Sequence, residues 1–382
     1  SWTINIDSMM GEADIVTHRG SGKNVSEEES YQFGTASIAP GERLETSLDL
    51  GEGPAGYPRS IPVYIMNGAK PGPVLALTAA THGDELNGVS VIHHLIHGDD
   101  HIAGTADDRI DLAEMAGTLI CVPVVNIDGM LLSQREAPDN RDINRKFPGK
   151  PEGNQSQRIA HALFEGVVKH ADHLIDLHSA PRARTNLAHI RADFDKPECM
   201  GLARAFGTRI ILHSEGPSGS LRREATAIGT PTILLEAGTA HRFELDAVHA
   251  GIEGVLNVMA HLNMIEREVR LPAVRMLVRR SKWARAETGG LLHSLVKPGD
   301  HVKKGDILAH ITDPFGATEQ TIVSPRTGII VGLAMDPLVR AGDPVANIVL
   351  CSKSRWERAQ SKPDPLDPEE EEIEDEDALD ES

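Results

Sequence analysis

Aromatic residues are scarce in this chain of 382 residues: three Trp, three Tyr and seven Phe make up 3% of it. Its core must therefore come mainly from Val, Ile, Leu and Ala, which an apolar content of 40% allows. No apolar run approaches the roughly 18 residues of a membrane-spanning helix, so no membrane partner is expected. The N-terminus has no basic stretch followed by an apolar one, so no secretion signal is visible. The numbering starts at Ser1 rather than Met, which leaves room for a leader removed earlier. The three cysteines, Cys121, Cys199 and Cys351, are far apart and form no CxxC. That pattern offers neither a disulfide framework nor a thiolate metal site, and it suits a reducing, cytoplasmic compartment. No basic stripe occurs, so a nucleic-acid partner is not expected either.

Acidic charge is plentiful but uneven. Residues 363–382 hold 12 acidic side chains and no basic one; without those 12 charges the net charge of −19 falls to −7. The tail, taken as 360–382, is expected to be disordered, because like charges repel and there is little apolar surface to bury. Upstream, residues 1–60 read as an N-terminal segment of loops and short strands. Residues 61–268 alternate apolar strands (61–66, 74–80, 119–125, 173–178, 187–192, 208–213, 231–238) with amphipathic helices (85–97, 156–170, 198–206, 219–228, 244–262). That alternation predicts an α/β fold with a mainly parallel sheet flanked by helices. In such sheets sites form beyond the carboxyl ends of strands. Residues 272–352 change character to short strands and Gly turns. They contain a repeat, 288–311 against 327–348, that predicts a small β-sandwich or barrel with a pseudo-dyad. This part resembles the barrel-sandwich of biotinyl and lipoyl carriers, but the linking segment DPFGATEQ has no Lys to modify.

The chemistry is concentrated in four segments. In THGDELNG, His82 and Glu85 follow the strand at 74–80, and a spacing of three can bring both to one metal. His178, in DLHSA, ends another strand and completes a His2Glu set that leaves a position open for water. Asp176 lies two residues earlier, where a bent strand end would let it orient a ligand. In SQREAPDNRDINRKFPG, Asn144 and Arg145 suit a bidentate substrate carboxylate, and Arg135 could stabilise an oxyanion. Glu236, in TILLEAG, is a carboxylate at the end of an apolar strand, costly unless it works or is paired; beside a metal it could be the general base and acid. Bland alternatives remain open. His82 could simply begin a helix beside a surface Glu, His178 could be a hydrogen-bonded core residue, and Glu236 could sit in a structural ion pair. The arginines, Arg141 included, could be solvated or paired with Asp139 and Asp142. The run Ser218–Arg222 opens a helix and reads more simply as its cap than as an anion site.

Taken in order, the HGDE, SQRxxPDxRDINRKFPG, DLHSA, GSLRREA and LLEAG segments resemble the succinylglutamate desuccinylase/aspartoacylase family, over about residues 61–350. The resemblance implies a zinc carboxypeptidase-like fold. It implies one Zn2+ per subunit on His82, Glu85 and His178, with Glu236 as general base and acid. Arg135 would polarise the carbonyl, and Asn144 and Arg145 would hold a substrate carboxylate. The activity implied is hydrolysis of a small N-acyl amino acid or related amide. A metallocarboxypeptidase acting on peptides is the nearest alternative, and a metal-dependent binding protein is one of another class. Relatives often assemble, so a homo-oligomer fits the resemblance. One departure is visible: family members often use a Tyr late in the chain, whereas here the tyrosines are Tyr31, Tyr57 and Tyr64.

Overall fold

The computed structural model describes residues 30–53, 56–99, 109–361 and 369–373. Four strands at its centre run parallel, in the order Thr232–Thr239, His173–His178, Lys70–Ala79 and Ala116–Val122. Their continuous apolar character follows from burial on both faces. Leu75, Leu77 and Ala79 point to one side, into a core shared with the helices Asn87–His97, Pro197–Phe206 and Leu245–His261. Ala76, Ile120 and Leu174 point to the other, beneath Gln155–Gly166 and Leu221–Ala227. All five helices read from the sequence are therefore present, and the α/β expectation holds. Among the described residues no helix is long and apolar enough to cross a membrane. The three cysteines are buried, and none is in a disulfide.

The sheet extends beyond this centre, and two expected boundaries move. Residue 60 lies inside the strand Pro58–Asn67, which pairs antiparallel with both Arg43–Glu52 and Ala116–Val122. The segment before residue 61 is thus partly an edge of the main sheet, where Arg43–Glu52 pairs the backbone N–H and C=O groups that Pro58–Asn67 would otherwise leave open. Residues 1–29 of that segment lie outside the described residues. At the other end, Val274–Val278 belongs to the main sheet, paired in parallel with Ile210–His213. Its five residues are all buried, so it cannot be a surface linker into the β-rich part.

That β-rich part shows the repeat directly. Each half is a long strand, a two-residue strand and a long strand: Gly290–Ser294, His301–Val302, Ile307–Thr312, then Gly328–Ala334, Leu338–Val339, Pro344–Leu350. The first strand of each half pairs with the short strand of the other, Gly290 with Val339 and His301 with Ile329, as a pseudo-dyad requires. The two sheets enclose their own core around Leu308, Ile311, Ile330 and Ile348. One sheet is continuous with the main one, because Gly328–Ala334 pairs antiparallel with Arg184–Ala192. The tail expectation meets an exception at Glu369–Ile373, a strand parallel to Val274–Val278. Charge explains it: Glu370 accepts from Arg204 and Arg275, and Glu372 from Arg279. The rest of the tail, apart from 360 and 361, lies outside the described residues.

Candidate active site

The HGDE turn is a product of its backbone. After the central strand, Ala80 takes a left-handed φ of +46°, and Glu85 N–H donates to His82 O at 3.1 Å. The turn carries His82 and Glu85 to the same side before the helix begins at Asn87. Gly83 is required within it, since a Cβ there would meet Gly129 C at 2.1 Å. His178 arrives from the neighbouring strand. His82, Glu85 and His178 are all buried, and their candidate ligand atoms lie within 4.8 Å of one another.

The two imidazoles present the same nitrogen to the centre. His82 Nδ1 lies 2.8 Å from Glu85 Oε1, and His178 Nδ1 lies 2.7 Å from Glu85 Oε2. His82 Nδ1 is buried yet makes no hydrogen bond. The far nitrogens face carboxylates, His82 Nε2 at 3.1 Å from Asp142 and His178 Nε2 at 2.8 Å from Asp176. Converging ligand atoms, of which His82 Nδ1 has no hydrogen bond and His178 Nδ1 bonds to Glu85, backed by carboxylates on the opposite ring nitrogens, are the arrangement metal-binding histidines adopt. Burial by itself would lower both imidazole pKa values, but the facing carboxylates outweigh it. Glu85 and Asp142 raise His82, while Asp176 and Glu85 raise His178 well above the ordinary range. Glu85, which burial would raise, is held well below the usual carboxylate range by the two imidazoles.

Asp176 orients His178 from two residues earlier on the same strand, a spacing that puts both on one face; Thr78 donates to its other oxygen at 2.7 Å. Asp176→Asn is expected to weaken metal affinity by about 10- to 100-fold, measured by competition with a calibrated chelator. Unchanged affinity would mean that Asp176 only fills space.

Arg135 joins the cluster, donating to Glu85 Oε1 at 2.8 Å and to Asp142 Oδ2 at 3.3 Å. Glu236 comes from the strand beside His178, and the two are partners in the parallel register. Its Oε2 accepts from Asn186 Nδ2 at 2.9 Å, and Arg191 Nε lies 3.4 Å from Oε1. A second group of possible ligands, Asp193, Asp195 and His213, is more open. There His213 Nδ1 accepts the Phe194 N–H at 3.1 Å, which puts the proton of a neutral ring on Nε2.

A model described as the succinylglutamate desuccinylase/aspartoacylase catalytic domain matches residues 71–262, half of the chain. The chain belongs to the succinylglutamate desuccinylase/aspartoacylase family. Among its relatives is the N-alpha-acetyl-L-2,4-diaminobutyric acid deacetylase of Halomonas elongata, 26% identical over 305 residues, covering 75% of this chain and 85% of that protein. A succinylglutamate desuccinylase/aspartoacylase from Rhodobacter sphaeroides has a similar structure, with a TM-score of 0.71, 26% identity, and coverage of 81% of this chain and 96% of that one. The product-bound ectoine utilization protein EutE (DoeB) of Ruegeria pomeroyi shares the fold at a TM-score of 0.72 and 22% identity, covering 81% of this chain and 95% of that one.

Within this family member the two candidate carboxylate-binding residues have partners of their own. Asn144 Oδ1 accepts from Leu221 N–H at 2.8 Å, capping the start of Leu221–Ala227, so its NH2 is the part left to donate outward. Arg145 is half-exposed, donates to Asn144 O at 2.6 Å and lies 3.7 Å from Asp142.

Three residues escaped the reading of the sequence. The sequence offers Asp142 only as a partner for arginines. Asn186 carried no motif at all. Arg222 was absorbed into a helix start, because spacing alone does not say where its side chain goes. Arg222 is buried; its Nη2 donates to Ser214 Oγ at 2.8 Å, while Nε and Nη1 have no partner. Burial and the neighbouring Arg191 lower its pKa to about 10. A buried guanidinium with idle N–H groups is costly unless an anion comes to it. The signal that could have found it is the adjacent pair Arg222 and Arg223 in SLRREA, since neighbouring positions on a helix point in different directions.

Proposed function

We propose that this protein is a zinc-dependent amidohydrolase that removes an acyl group from a small N-acyl amino acid. The observation that carries the reading is the convergence of His82 Nδ1, Glu85 and His178 Nδ1, with Glu236 on the adjacent strand position. Two imidazoles and one carboxylate suit Zn2+ and leave a coordination position open. A bound Zn2+ supplies a Lewis acid that polarises the carbonyl and makes water acidic near neutral pH.

The side chains supply the rest. Glu236 takes a proton from the attacking water and returns it to the leaving amine. Arg135, already directed at the centre by Glu85 and Asp142, donates to the oxyanion that develops as the carbonyl is attacked. The amide C–N bond breaks, giving a carboxylic acid and an amino acid. Arg222, with unused N–H groups, and Arg145 offer cations to a substrate carboxylate. The relatives support a substrate of this class, since the Halomonas elongata protein is named for removing an acetyl group from a diamino acid.

The test is a hydrolysis panel with zinc-loaded protein. It would include N-acetyl-L-2,4-diaminobutyrate, N-acetyl-L-aspartate and N-succinyl-L-glutamate, alongside peptides with free and blocked C-termini. Release of free amino acid from the N-acyl compounds is the expected result. Cleavage confined to peptides with a free C-terminus would make the protein a metallocarboxypeptidase, and no hydrolysis of any kind would return it to a binding role.

A further inference from the structure

The strand Arg184–Ala192 has three neighbours. One edge pairs with Thr232–Thr239, which carries Glu236; the other pairs with Ile210–His213 at its far end and, at residues 184–186, with Gly328–Ala334 of the β-rich part. Asn186 is where these meet, opposite Gly238 on one side and Gly332 on the other. Side chains three apart on a regular strand point to opposite faces. His189 is opposite Glu236, so a regular Asn186 would point away from it. The register slips between Glu236 and Gly238, which puts three steps on one strand against two on the other. This bulge turns Asn186 back to the face of Glu236, where its Nδ2 donates at 2.9 Å. Bulges commonly re-aim a side chain beside a site.

The far side of Asn186 is equally constrained. Gly332 has no side chain, and a Cβ there would lie 3.0 Å from Asn186 Oδ1, 3.4 Å from Asn347 Cβ and 3.5 Å from the Trp283 ring. The backbone of the β-rich part thus closes over the amide. Without the Asn186 donor, Glu236 would face Arg191 at 3.4 Å with nothing to hold its second oxygen, and a guanidinium can draw both oxygens of a carboxylate into a fork.

We propose that Asn186 is a positioning residue for the Glu236 carboxylate, and that the C-terminal β-rich part holds it in place through Gly332. The inference rests on the reading of Glu236 as the general base and acid. It gives the repeat-containing part a role in the chemistry: its strand forms one wall of the shelf on which the base is aimed.

The experiment compares Asn186→Asp, Asn186→Ala and Gly332→Ala in the zinc-loaded full chain, with N-acetyl-L-2,4-diaminobutyrate or whichever panel compound the wild type hydrolyses fastest. Asp keeps the shape of Asn but removes the donor and adds a like charge. Asn186→Asp and Asn186→Ala are expected to lower kcat by about 10- to 100-fold, the scale of one hydrogen bond to a charged group, with KM little changed and metal content equal to wild type. Gly332→Ala should lower kcat in the same direction. In a Glu236→Gln background, Asn186→Asp should cost nothing further, because the residues act as one unit. Wild-type kcat in Asn186→Asp, or the same loss in the Glu236→Gln background, would overturn the positioning role. Wild-type turnover in Glu236→Gln alone would instead remove the reading beneath it, and the proposal with it.

Discussion

Glu236→Gln lowers kcat by about 10²- to 10⁴-fold, the range of general acid–base catalysis, while the protein keeps its full complement of metal. The amide can still accept from Asn186 and occupies almost the same volume, so the fold has no reason to respond. What it lacks is an oxygen basic enough to take the proton of the attacking water, or an acid to protonate the departing amine. Both halves of the reaction suffer, so kcat and kcat/KM fall together. The check is steady-state kinetics beside elemental analysis of the same preparation. Wild-type turnover would assign Glu236 to its ion pair with Arg191 and require another base.

His178→Ala is expected to abolish metal binding and with it all hydrolysis. The change removes one of three protein ligands. It also removes the imidazole between the buried Asp176 and Glu85 carboxylates, and a buried carboxylate that loses one of its partners is costly. Elemental analysis of protein purified without added zinc decides the point, and an unchanged metal content would contradict the ligand assignment. A pH effect follows from the same geometry. In the metal-free protein both imidazole pKa values are raised. The stability they contribute is therefore full below the unfolded value of about 6.5 and is lost as pH rises through the higher folded values. Zinc needs the same nitrogens without their protons, so loading near pH 7 should release protons and the apparent affinity should climb with pH. Calorimetric titration in two buffers of different ionisation enthalpy measures that release, and proton-neutral loading would rule out these histidines as ligands.

The two halves of the candidate metal site were not equally visible in the amino-acid order. His82 and Glu85 lie within one turn, where three-residue spacing and a glycine nearly dictate convergence. His178 is 93 residues from Glu85, and its arrival depends on the parallel pairing of its strand with Lys70–Ala79. It could be guessed because sites gather at the carboxyl ends of such strands. Asp176 needs no bent strand end to reach His178: the two lie two residues apart on the unbroken strand His173–His178 and share a face. Asn144 shows the opposite outcome: the pattern suggested a side chain free for substrate, and half of its amide is spent on capping a helix.

The periodicity of apolar residues determined the alternation of strands and helices, the buried character of the four parallel strands, and the repeat of the β-rich part. These are properties of short windows, in which 2- and 3.6-residue periods are read directly from the chain. Tertiary structure decided what no window contains: the pairing that fuses the β-rich part to the main sheet, the bulge that turns Asn186 toward Glu236, the burial of Arg222 with its Nε and Nη1 unused, and the bridge from Glu370 to Arg204 and Arg275. Each depends on the register between segments far apart in sequence. A one-residue slip in such a register sends a side chain to the opposite face, and nothing local records which register the folded chain selects.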